Sequence, residues 1–301
     1  MSNLSNPFVS VIIPVYNDPE RIKICLQALE NQTYPKNLYE VIVVDNGSNE
    51  SIEPIVNQFG QAVASSESRV GSYAARNKGI TLAKGEIIAF TDADCIPSSD
   101  WIEKGVKNLL SVPNCGLVAG KVELFGQNTE LTALEFYEST GWWRSQKEAI
   151  EGHRYGATAN LFTFKSVIDR IGSFDDTLKS YGDIEWGERL YGFGYKQVYA
   201  EDTYVYHPLR TSLAEFSKKI VRLMGGEIDT KKKNGYPWKE FLRDLARDLK
   251  LPLRYYFSIR KEQKLKGNLQ KIQYIFIYTY IKYLRAGERI RLQLKGSSRR
   301  G

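Results

Sequence analysis

The sequence has few of the side chains that form disulfides or hold zinc. Of its 301 residues, three are cysteines and two are histidines. Cys25, Cys95 and Cys115 are odd in number and show none of the paired Cys/His spacings of zinc sites. These absences exclude a disulfide-stapled domain and a zinc finger, and they predict three reduced, structural thiols.

Long hydrophobic runs are also missing. No stretch reaches the roughly 18 apolar residues that a membrane-spanning helix needs, and the first residues carry no charged-then-apolar leader. Hydrophobic residues nevertheless make up 42% of the chain, enough for a buried core. The sequence therefore predicts a globular, cytoplasmic protein that does not cross a membrane by itself.

Charge is divided unevenly along the chain. Residues 1–209 carry 18 basic and 27 acidic side chains, whereas residues 210–301 carry 24 basic and 8 acidic ones. A break of this size predicts two parts. We expect a core domain over residues 1–209 and a basic, aromatic-rich helical region over residues 210–301.

The first part alternates short apolar runs with helical patterns, which is typical of βαβ units and a parallel sheet. Beyond residue 110 the simple alternation ends, which predicts a mixed sheet. The predicted strands are residues 9–13, 41–44, 87–90, 116–124 and 156–164, and the predicted helices are residues 20–32, 71–83, 101–110 and 131–149.

Asp92 and Asp94 follow a buried run and are separated by one small residue. Two carboxylates in this spacing can converge on one hard cation, and Mg²⁺ or Mn²⁺ prefers such oxygen ligands. The alternative is a solvated turn with a helix cap, because aspartate is common in both. The ligand types do not decide between the two metals.

Five motifs, in order, resemble those of glycosyltransferase family 2 over about residues 8–210. They read VSVIIPVYN (9–17), VVDNGS (43–48), ARNKG (75–79), DAD (92–94) and GDIE (182–185), the last followed by Arg189 and Leu190. The resemblance implies a GT-A fold, a Rossmann-like mixed sheet with flanking helices that binds a nucleotide-diphospho-sugar. It also implies transfer with inversion at the anomeric carbon.

The resemblance implies a donor-binding role for Pro14, Tyr16, Asp45, Arg76, Asn77 and Asp92. Asp45 would accept a hydrogen bond from a pyrimidine N–H, which favours a UDP-sugar, with Pro14 and Tyr16 flanking the base. The Arg76 guanidinium would bind diphosphate oxygens through its fork of donors. Asp45 could instead stabilise its turn, and Arg76 could be an ordinary helix-surface arginine.

Asp183 is the predicted catalytic base. It would accept the proton of the acceptor hydroxyl as that oxygen attacks the anomeric carbon, and a single displacement of this kind inverts configuration. The motif departs from the family pattern at Gly182, where a glutamate is more common. The alternative for Asp183 is an N-cap of the following helix.

Acceptor and metal ligands are predicted around these motifs. Ala159, Asn160 and Glu185 are expected to line the acceptor side, although small residues at 156–160 also suit a tight turn. His207, together with Asp92 and Asp94, is a predicted metal ligand; a lone histidine after a strand is more often structural. Arg189 is expected to tie its helix to the core.

Residues 210–301 mix basic clusters with aromatic and aliphatic groups. The positions are Lys218, Lys219, Arg222, Lys231, Lys232 and Lys233, then Tyr236, Trp238, Phe241, Leu251, Leu253, Tyr255, Tyr256 and Phe257, then Ile272, Tyr274, Phe276, Tyr278, Tyr280 and Tyr283. Basic amphipathic segments of this kind favour peripheral binding to the anionic inner face of a cell membrane. The alternative is a helical appendage packed on the core. No nucleic-acid module accompanies the charges, which argues against nucleic acid.

Two other functions share parts of this pattern. A sugar nucleotidyltransferase would be expected to open with a Gly-rich, basic phosphate loop, which residues 9–17 lack. A non-catalytic nucleotide-sugar-binding protein would be expected to lose an acid, but Asp92, Asp94 and Asp183 are all present. The favoured function is metal-assisted sugar transfer to a glycan or lipid-linked acceptor in polysaccharide or glycolipid biosynthesis.

Overall fold

A computed structural model of the chain describes residues 6–141, 145–233, 235–250, 256, 259–294 and 296–298. Leu251, Leu253, Tyr255 and Phe257, from the predicted aromatic and aliphatic positions, lie outside the described residues. Contacts divide the chain into two compact units. Unit 1 is Met1–Glu123, Arg144–Thr177 and Gly182–His207, and unit 2 is Leu124–Trp143, Leu178–Tyr181 and Pro208–Gly301.

The described residues form one mixed sheet of eight strands in the order β3-β2-β1-β4-β7-β6-β8-β5. The strands are β1 (Val9–Val15), β2 (Tyr39–Asp45), β3 (Ala62–Ser66), β4 (Ile87–Thr91), β5 (Ile96–Pro97), β6 (Cys115–Phe125), β7 (Asn160–Phe164) and β8 (Lys196–Pro208). Strands β3, β2, β1 and β4 are mutually parallel, and β7 is antiparallel to both β4 and β6. The predicted mixed sheet is confirmed.

Helices cover both faces of this sheet and build most of unit 2. They are α1 (Pro19–Glu30), α2 (Glu53–Val56), α3 (Ser72–Leu82), α4 (Trp101–Ser111), α5 (Ala133–Gly141), α6 (Gln146–His153), α7 (Lys165–Ile171), α8 (Gly182–Gly192), α9 (Leu213–Lys233), α10 (Trp238–Leu249) and α11 (Gly267–Gln293). No helix in the described part of the chain is long and apolar enough to cross a membrane.

The alternation of side chains along β1 produces the layers of unit 1. Val11 and Ile13 belong to one core cluster, which contains apolar residues of α1 and α4, whereas Ile12 belongs to a second, which contains residues of α3, α7 and α8. Successive side chains of a strand point to opposite faces, so a continuous apolar run becomes a strand covered on both sides. All three cysteines are buried and none is in a disulfide.

Two predicted elements differ from the structure. The single helix predicted over residues 131–149 is two helices, because Ser145 begins α6 with a capping box to Glu148. The strand predicted from residue 156 begins only at Asn160, after a turn. The other predicted strands and helices match the observed bounds within two residues at each end.

Unit 2 has its own core, formed by α5, α9 and α11. The Tyr137 ring of α5 contacts Phe216 of α9 and Tyr274 of α11, with centroids 5.9 and 5.5 Å apart. The helices after residue 209 therefore pack with an element from earlier in the chain. The predicted domain boundary at residue 209 stays a prediction.

Candidate active site

The predicted base-binding residues lie at the carboxyl ends of β1 and β2. These strands are parallel neighbours, and Val15 is in register with Asp45. The Asp45 Oδ1 atom accepts a hydrogen bond from the Ser48 backbone N–H at 3.0 Å, so the turn-stabilising role exists. Tyr16 is 41% exposed.

Asn46 connects these loops to α3. Its side chain is buried, its Nδ2 donates to the carbonyls of Glu67 and Arg69, and its Oδ1 accepts from the Gly71 N–H at 2.8 Å. Gly71 has φ +139°, a backbone conformation that L side chains rarely adopt. The buried amide of Asn46 thus connects the end of β2 to Gly71, the residue before α3.

Arg76 on α3 is the central cation of the site. Its side chain is only 4% exposed, and its Nη2 donates to Asp92 Oδ1 after β4. Among the described residues its buried Nε has no hydrogen-bond partner. A buried donor without an acceptor is unfavourable, and a phosphate oxygen would satisfy it.

Asn77, the next residue, faces away from this arrangement. Its Nδ2 donates to the Phe174 carbonyl at 2.8 Å, and its Oδ1 accepts from the Phe174 N–H at 3.1 Å. Both ends of the amide therefore bind one backbone position. The donor-binding role of Asn77 stays a prediction, and its contacts are those of a residue that joins α3 to the loop before α8.

The predicted metal ligands lie close to one another without forming a complete set. His207 Nε2 lies 3.4 Å from Asp94 Oδ2, and Arg21 lies 3.8 Å from the same oxygen. Asp92 is held by Arg76 instead. No group of three or more His, Cys, Asp or Glu side chains in the described ranges is arranged to hold a metal ion.

The donor chemistry of these residues nevertheless suits a hard divalent cation. Carboxylates are ligands that Mn²⁺ and Mg²⁺ prefer, and both ions keep further positions for water or phosphate, whereas the His207 imidazole is the less usual ligand of the three. Asp92 uses its Oδ1 atom for Arg76, and its second carboxylate oxygen remains as a possible metal ligand. The two carboxylates therefore fit the ion in type.

Asp183, the predicted base, lies in the first turn of α8 and contacts Tyr73. The Tyr73 hydroxyl donates to Asp183 Oδ1 at 3.2 Å, and the Ile184 N–H donates to the same oxygen at 3.0 Å. A Cβ on Gly182 would lie 2.7 Å from the Tyr73 ring. The glycine that departs from the family pattern is therefore the residue that lets Tyr73 reach the carboxylate.

The environment raises the pKa of Asp183 above its ordinary value. Burial is the main cause, since a carboxylate loses favourable hydration there. The Arg76 charge and the Tyr73 hydrogen bond lower the pKa, but less than burial raises it. A carboxylate with a raised pKa is a stronger base than an exposed aspartate, which suits proton abstraction.

Glu185 and Arg189 form a two-point ion pair one turn apart on α8. Arg189 Nε and Nη2 each lie 2.9 Å from a Glu185 oxygen. Arg189 also donates to the carbonyls of Ile171 and Ser173, at 2.7 and 2.8 Å. Arg189 ties the helix to the core as predicted, and Glu185 keeps 38% of its side chain exposed.

Ala159 and Asn160 lie in the core rather than on a surface. Ala159 is 4% exposed, and its carbonyl accepts from Thr91 Oγ1 at 3.0 Å. Asn160 is fully buried: its Oδ1 accepts from Trp101, and its Nδ2 donates to the carbonyls of Lys121 and Thr203. These contacts leave no side-chain group of Asn160 for an acceptor, so its position is that of a structural residue joining β7 to its neighbours.

Tyr73 is the site residue that the motifs did not reveal. It is 6% exposed, contacts Asp183 through its hydroxyl and lies under the Arg76 guanidinium, 5.6 Å from the ring centroid. Helical spacing was the available signal, because residues three apart share a face and Tyr73 precedes Arg76 by three.

Comparison with known proteins shows the family of this chain. The family model described as glycosyl transferase family 2 matches residues 10–174, more than half of the chain. The chain is 42% identical to the glycosyltransferase AglE of Haloferax volcanii over 227 residues, 74% of this chain and 73% of the relative. It is 28% identical over 225 residues to the hyaluronan synthase of Pasteurella multocida, covering 62% of this chain but only 23% of that larger protein.

A solved structure shares the fold. The mannosyltransferase PcManGT from Pyrobaculum calidifontis, determined in complex with GDP-Man and Mn²⁺, matches with a TM-score of 0.58 at 19% sequence identity. The match covers 98% of this chain and 77% of that one. The predicted GT-A fold is confirmed. From the fold, the family model and the relatives together, this chain belongs to glycosyltransferase family 2 and is a transferase that uses a nucleotide-sugar donor.

Proposed function

We propose that this enzyme transfers a sugar from a nucleoside-diphosphate donor by a metal-assisted, inverting single displacement. The observation that carries the proposal is the buried Arg76 guanidinium. It pairs with Asp92, lowers the pKa of Asp183 through its charge and retains one N–H without a partner among the described residues. The Arg76 guanidinium thus acts on both Asp92, on the donor side, and Asp183, the proposed base.

Asp183 takes the proton of the acceptor hydroxyl as the oxygen attacks the anomeric carbon. The new glycosidic C–O bond forms while the bond from the anomeric carbon to the diphosphate oxygen breaks, so the nucleoside diphosphate leaves with the electron pair. Tyr73 holds Asp183 Oδ1 and thereby orients the carboxylate toward the acceptor. Attack from the face opposite the leaving group inverts the configuration.

Arg76 binds the diphosphate, and its unpartnered Nε supports this role. Asp92, Asp94 and His207 would hold a divalent cation, Mn²⁺ or Mg²⁺. When bound, this cation neutralises charge that develops on the departing diphosphate. The adjacency of His207 and Asp94, 3.4 Å apart, supports the assignment.

A UDP-sugar remains the first candidate donor, with Asp45 as acceptor for the base N–H and with Tyr16 and Pro14 flanking the ring. A GDP-sugar is the second candidate, because the solved structure that shares this fold was determined with GDP-Man. Both bases offer N–H donors to a carboxylate. The assignment of Asp45 is therefore compatible with either nucleotide.

The acceptor in this proposal is a glycan or a lipid-linked glycan, and the pathway is polysaccharide or glycolipid assembly at the inner face of the cell membrane. The excess of basic residues after residue 209, 24 against 8 acidic, supports attachment to an anionic surface. Of the predicted acceptor-side residues we retain Glu185, whose side chain is 38% exposed.

The test is a panel of UDP- and GDP-sugars, scored for binding and for slow hydrolysis, with Mn²⁺, with Mg²⁺ and with a chelator. We expect one donor to bind tightly in the presence of metal, and Asp92→Ala to remove this dependence together with most of the affinity. Asp100→Ala, which removes a carboxylate that pairs with Lys104 instead, is the matched control.

The product of the preferred donor then reports the stereochemistry. An anomeric configuration opposite to that of the donor, read from NMR coupling constants, supports single displacement, whereas retained configuration contradicts it. Binding of donor without turnover on any glycan or lipid-linked acceptor would indicate a nucleotide-sugar-binding protein. Release of pyrophosphate from a sugar phosphate and a nucleoside triphosphate would indicate a nucleotidyltransferase.

A further inference from the structure

The outer side of α11 is apolar. Its exposed large side chains are Leu269 (69%), Ile272 (62%), Phe276 (63%), Tyr280 (38%), Tyr283 (49%) and Ile290 (38%). Their spacings of mostly three or four residues align them along one face, which we name the α11 stripe. A helix on the surface of a globular protein normally shows polar residues on such a face.

The opposite side of the same helix already supplies the core of unit 2. Tyr274, Ile277, Ile281 and Leu292 are buried there. The helix is thus apolar on two sides, and only one of them is covered within the described residues. A stripe of this length indicates a surface that another apolar medium covers.

The charged residues of α11 do not interrupt the stripe. None of them is exposed: Lys271, Lys282, Arg285, Glu288, Arg289 and Arg291 are all buried or half-buried. Lys282 donates to the Arg247 carbonyl at 2.7 Å, and Arg285 lies 3.2 Å from Asp248. Every residue of the helix that is exposed is therefore uncharged.

The neighbouring helix α10 has the complementary pattern. Trp238, Leu242 and Leu249 are exposed by 59%, 57% and 45%. Lys239, Arg243 and Arg247 lie between them and Lys250 follows the helix; all four are exposed, whereas Asp244 and Asp248 are buried and pair with Arg289. The fully exposed charges are positive, and two of them have acidic neighbours on the same helix: Arg243 lies 3.5 Å from the half-buried Glu240, and Arg247 lies 3.1 Å from Asp244.

We propose that the α11 stripe and the exposed side of α10 form a surface that binds an anionic lipid bilayer. Aliphatic and aromatic side chains enter the boundary between headgroups and acyl chains, and the basic residues of α10 contact the lipid phosphates. The proposal deepens the proposed function, on which it rests for the lipid-linked acceptor. A second copy of the chain is the poorer occupant, because the exposed lysine and arginine side chains of α10 would repel those of the copy.

The test is sedimentation of the full-length protein with vesicles of phosphatidylcholine alone and of phosphatidylcholine with phosphatidylglycerol. We expect binding to the anionic vesicles that weakens at high salt. Ile272→Ser with Phe276→Ser should reduce the partition coefficient about tenfold or more, because both side chains would lose their insertion energy. Ile24→Ser with Val63→Ser, at positions 50% and 49% exposed in unit 1, is the matched control and should bind as the unaltered protein does.

The electrostatic part has its own pair of variants. Lys239→Gln with Arg243→Gln should weaken binding to anionic vesicles at low salt by about fivefold for each charge removed. Lys36→Gln with Lys107→Gln removes two exposed charges from unit 1 and should have no such effect. Equal binding to both vesicle types would contradict the role of the basic residues.

Three results would overturn the proposal. The first is that the unaltered protein does not bind anionic vesicles. The second is that the Ile272→Ser, Phe276→Ser variant binds them with the same affinity as the unaltered protein. The third is a dimer in sedimentation velocity that this variant abolishes, which would assign the surface to a second copy. Donor hydrolysis, measured on the same samples, separates this proposal from the proposed function. Vesicle binding without any donor turnover would support the membrane surface and contradict the enzyme activity. Donor turnover without vesicle binding would support the enzyme activity and contradict the membrane surface.

Discussion

Unit 1 and unit 2 each bury an arginine, and the two arginines are bound differently. Arg289 in unit 2 is fully buried, and all three nitrogens donate: Nε to Asp248 at 2.8 Å, Nη1 to Tyr236 at 3.0 Å and Nη2 to Glu227 at 3.2 Å. Arg76 in unit 1 is 4% exposed, yet its Nε has no partner among the described residues. Each side-chain nitrogen of Arg289 has a partner, as expected of a structural residue, whereas the proposed binding role of Arg76 would give its Nε a partner on the ligand.

The pKa values of Arg289 in unit 2 and Asp183 in unit 1 also differ in their balance of causes. Burial lowers the pKa of Arg289, but the Asp248 hydrogen bond and the Glu227 charge together raise it by more. The net shift of the pKa is upward, so the charged form of Arg289 is stabilised. Burial raises the pKa of Asp183, and its partners do not compensate. The neighbours of Arg289 thus stabilise its charge, whereas Asp183 keeps a raised pKa, as groups at sites of chemistry often do. The contrast holds for these two groups and not for every buried charge, because burial lowers the pKa of Lys219 in unit 2 to about 8.

The largest expected effect is that of Asp183→Asn. Turnover should fall by about a hundred- to ten-thousandfold, since the amide cannot take a proton, while donor binding remains. Glu188→Gln on the exposed side of the same helix is the control. Turnover within tenfold of the unaltered enzyme would remove Asp183 from the role of base.

The same variant should be more stable at neutral pH. Because the folded-state pKa of Asp183 is raised, the carboxyl contributes stability below its unfolded pKa and loses it as pH rises through the folded value. Denaturation midpoints at several pH values should therefore separate the two proteins above that range and converge below pH of about 4.

Arg289→Met tests the structural arginine. Removing one member of a buried network should lower the free energy of unfolding by about 3–5 kcal/mol, because Asp248, Glu227 and the Tyr236 hydroxyl lose their partner. Arg243→Met, at a side chain 72% exposed, should change it by less than about 0.5 kcal/mol. Equal urea midpoints for the two variants would show that the network contributes no net stability.

Arg76→Lys sharpens the comparison. Lysine keeps the charge beside Asp92 but lacks the fork, so the donor dissociation constant should rise about tenfold. Arg289→Lys is the matched change in unit 2 and should leave donor binding as it was while lowering stability. Titration calorimetry with the preferred nucleotide sugar measures the difference, and identical affinities for both variants would contradict the distinction.

Tyr73→Phe should have the smallest effect. The ring remains against Gly182, but the hydrogen bond that lowers the pKa of Asp183 is lost. The acidic limb of the kcat/KM profile should then move to higher pH, and kcat should fall about two- to tenfold. Tyr191→Phe, at an exposed tyrosine of α8, is the control. An unchanged profile would mean that Tyr73 only packs.

Sequence reasoning predicted most of the fold, whereas the roles of the site residues stay predictions. The apolar runs of β1, β2 and β4 and the helices between them could be recognised because a buried strand and an amphipathic helix each leave a local pattern. The helix predicted over residues 131–149 was wrong, because a capping box at Ser145 begins a second helix in the middle of an apolar pattern. Periodicity alone does not report such a break.

Asn160 and Tyr73 show what sequence spacing cannot decide. Asn160 was assigned to the acceptor side, but its amide is used by Trp101, Lys121 and Thr203, which are distant in the chain. Tyr73 was overlooked, and the aspartate it contacts is 110 residues away. The sequence gives the type of a polar residue but not whether its side chain faces a ligand or a backbone carbonyl. That depends on residues that become its neighbours only in the folded structure.

The sequence alone determined the order of strands and helices, the motifs at the strand ends and the contrast in charge between the two ends of the chain, because these depend on residues that are neighbours in the chain. The tertiary structure decided that Gly182 makes room for Tyr73, that Arg76 keeps an unsatisfied donor, that α5 joins unit 2 and that α11 exposes an apolar stripe. These features depend on burial and on contacts between distant residues, which exist only after the chain has folded.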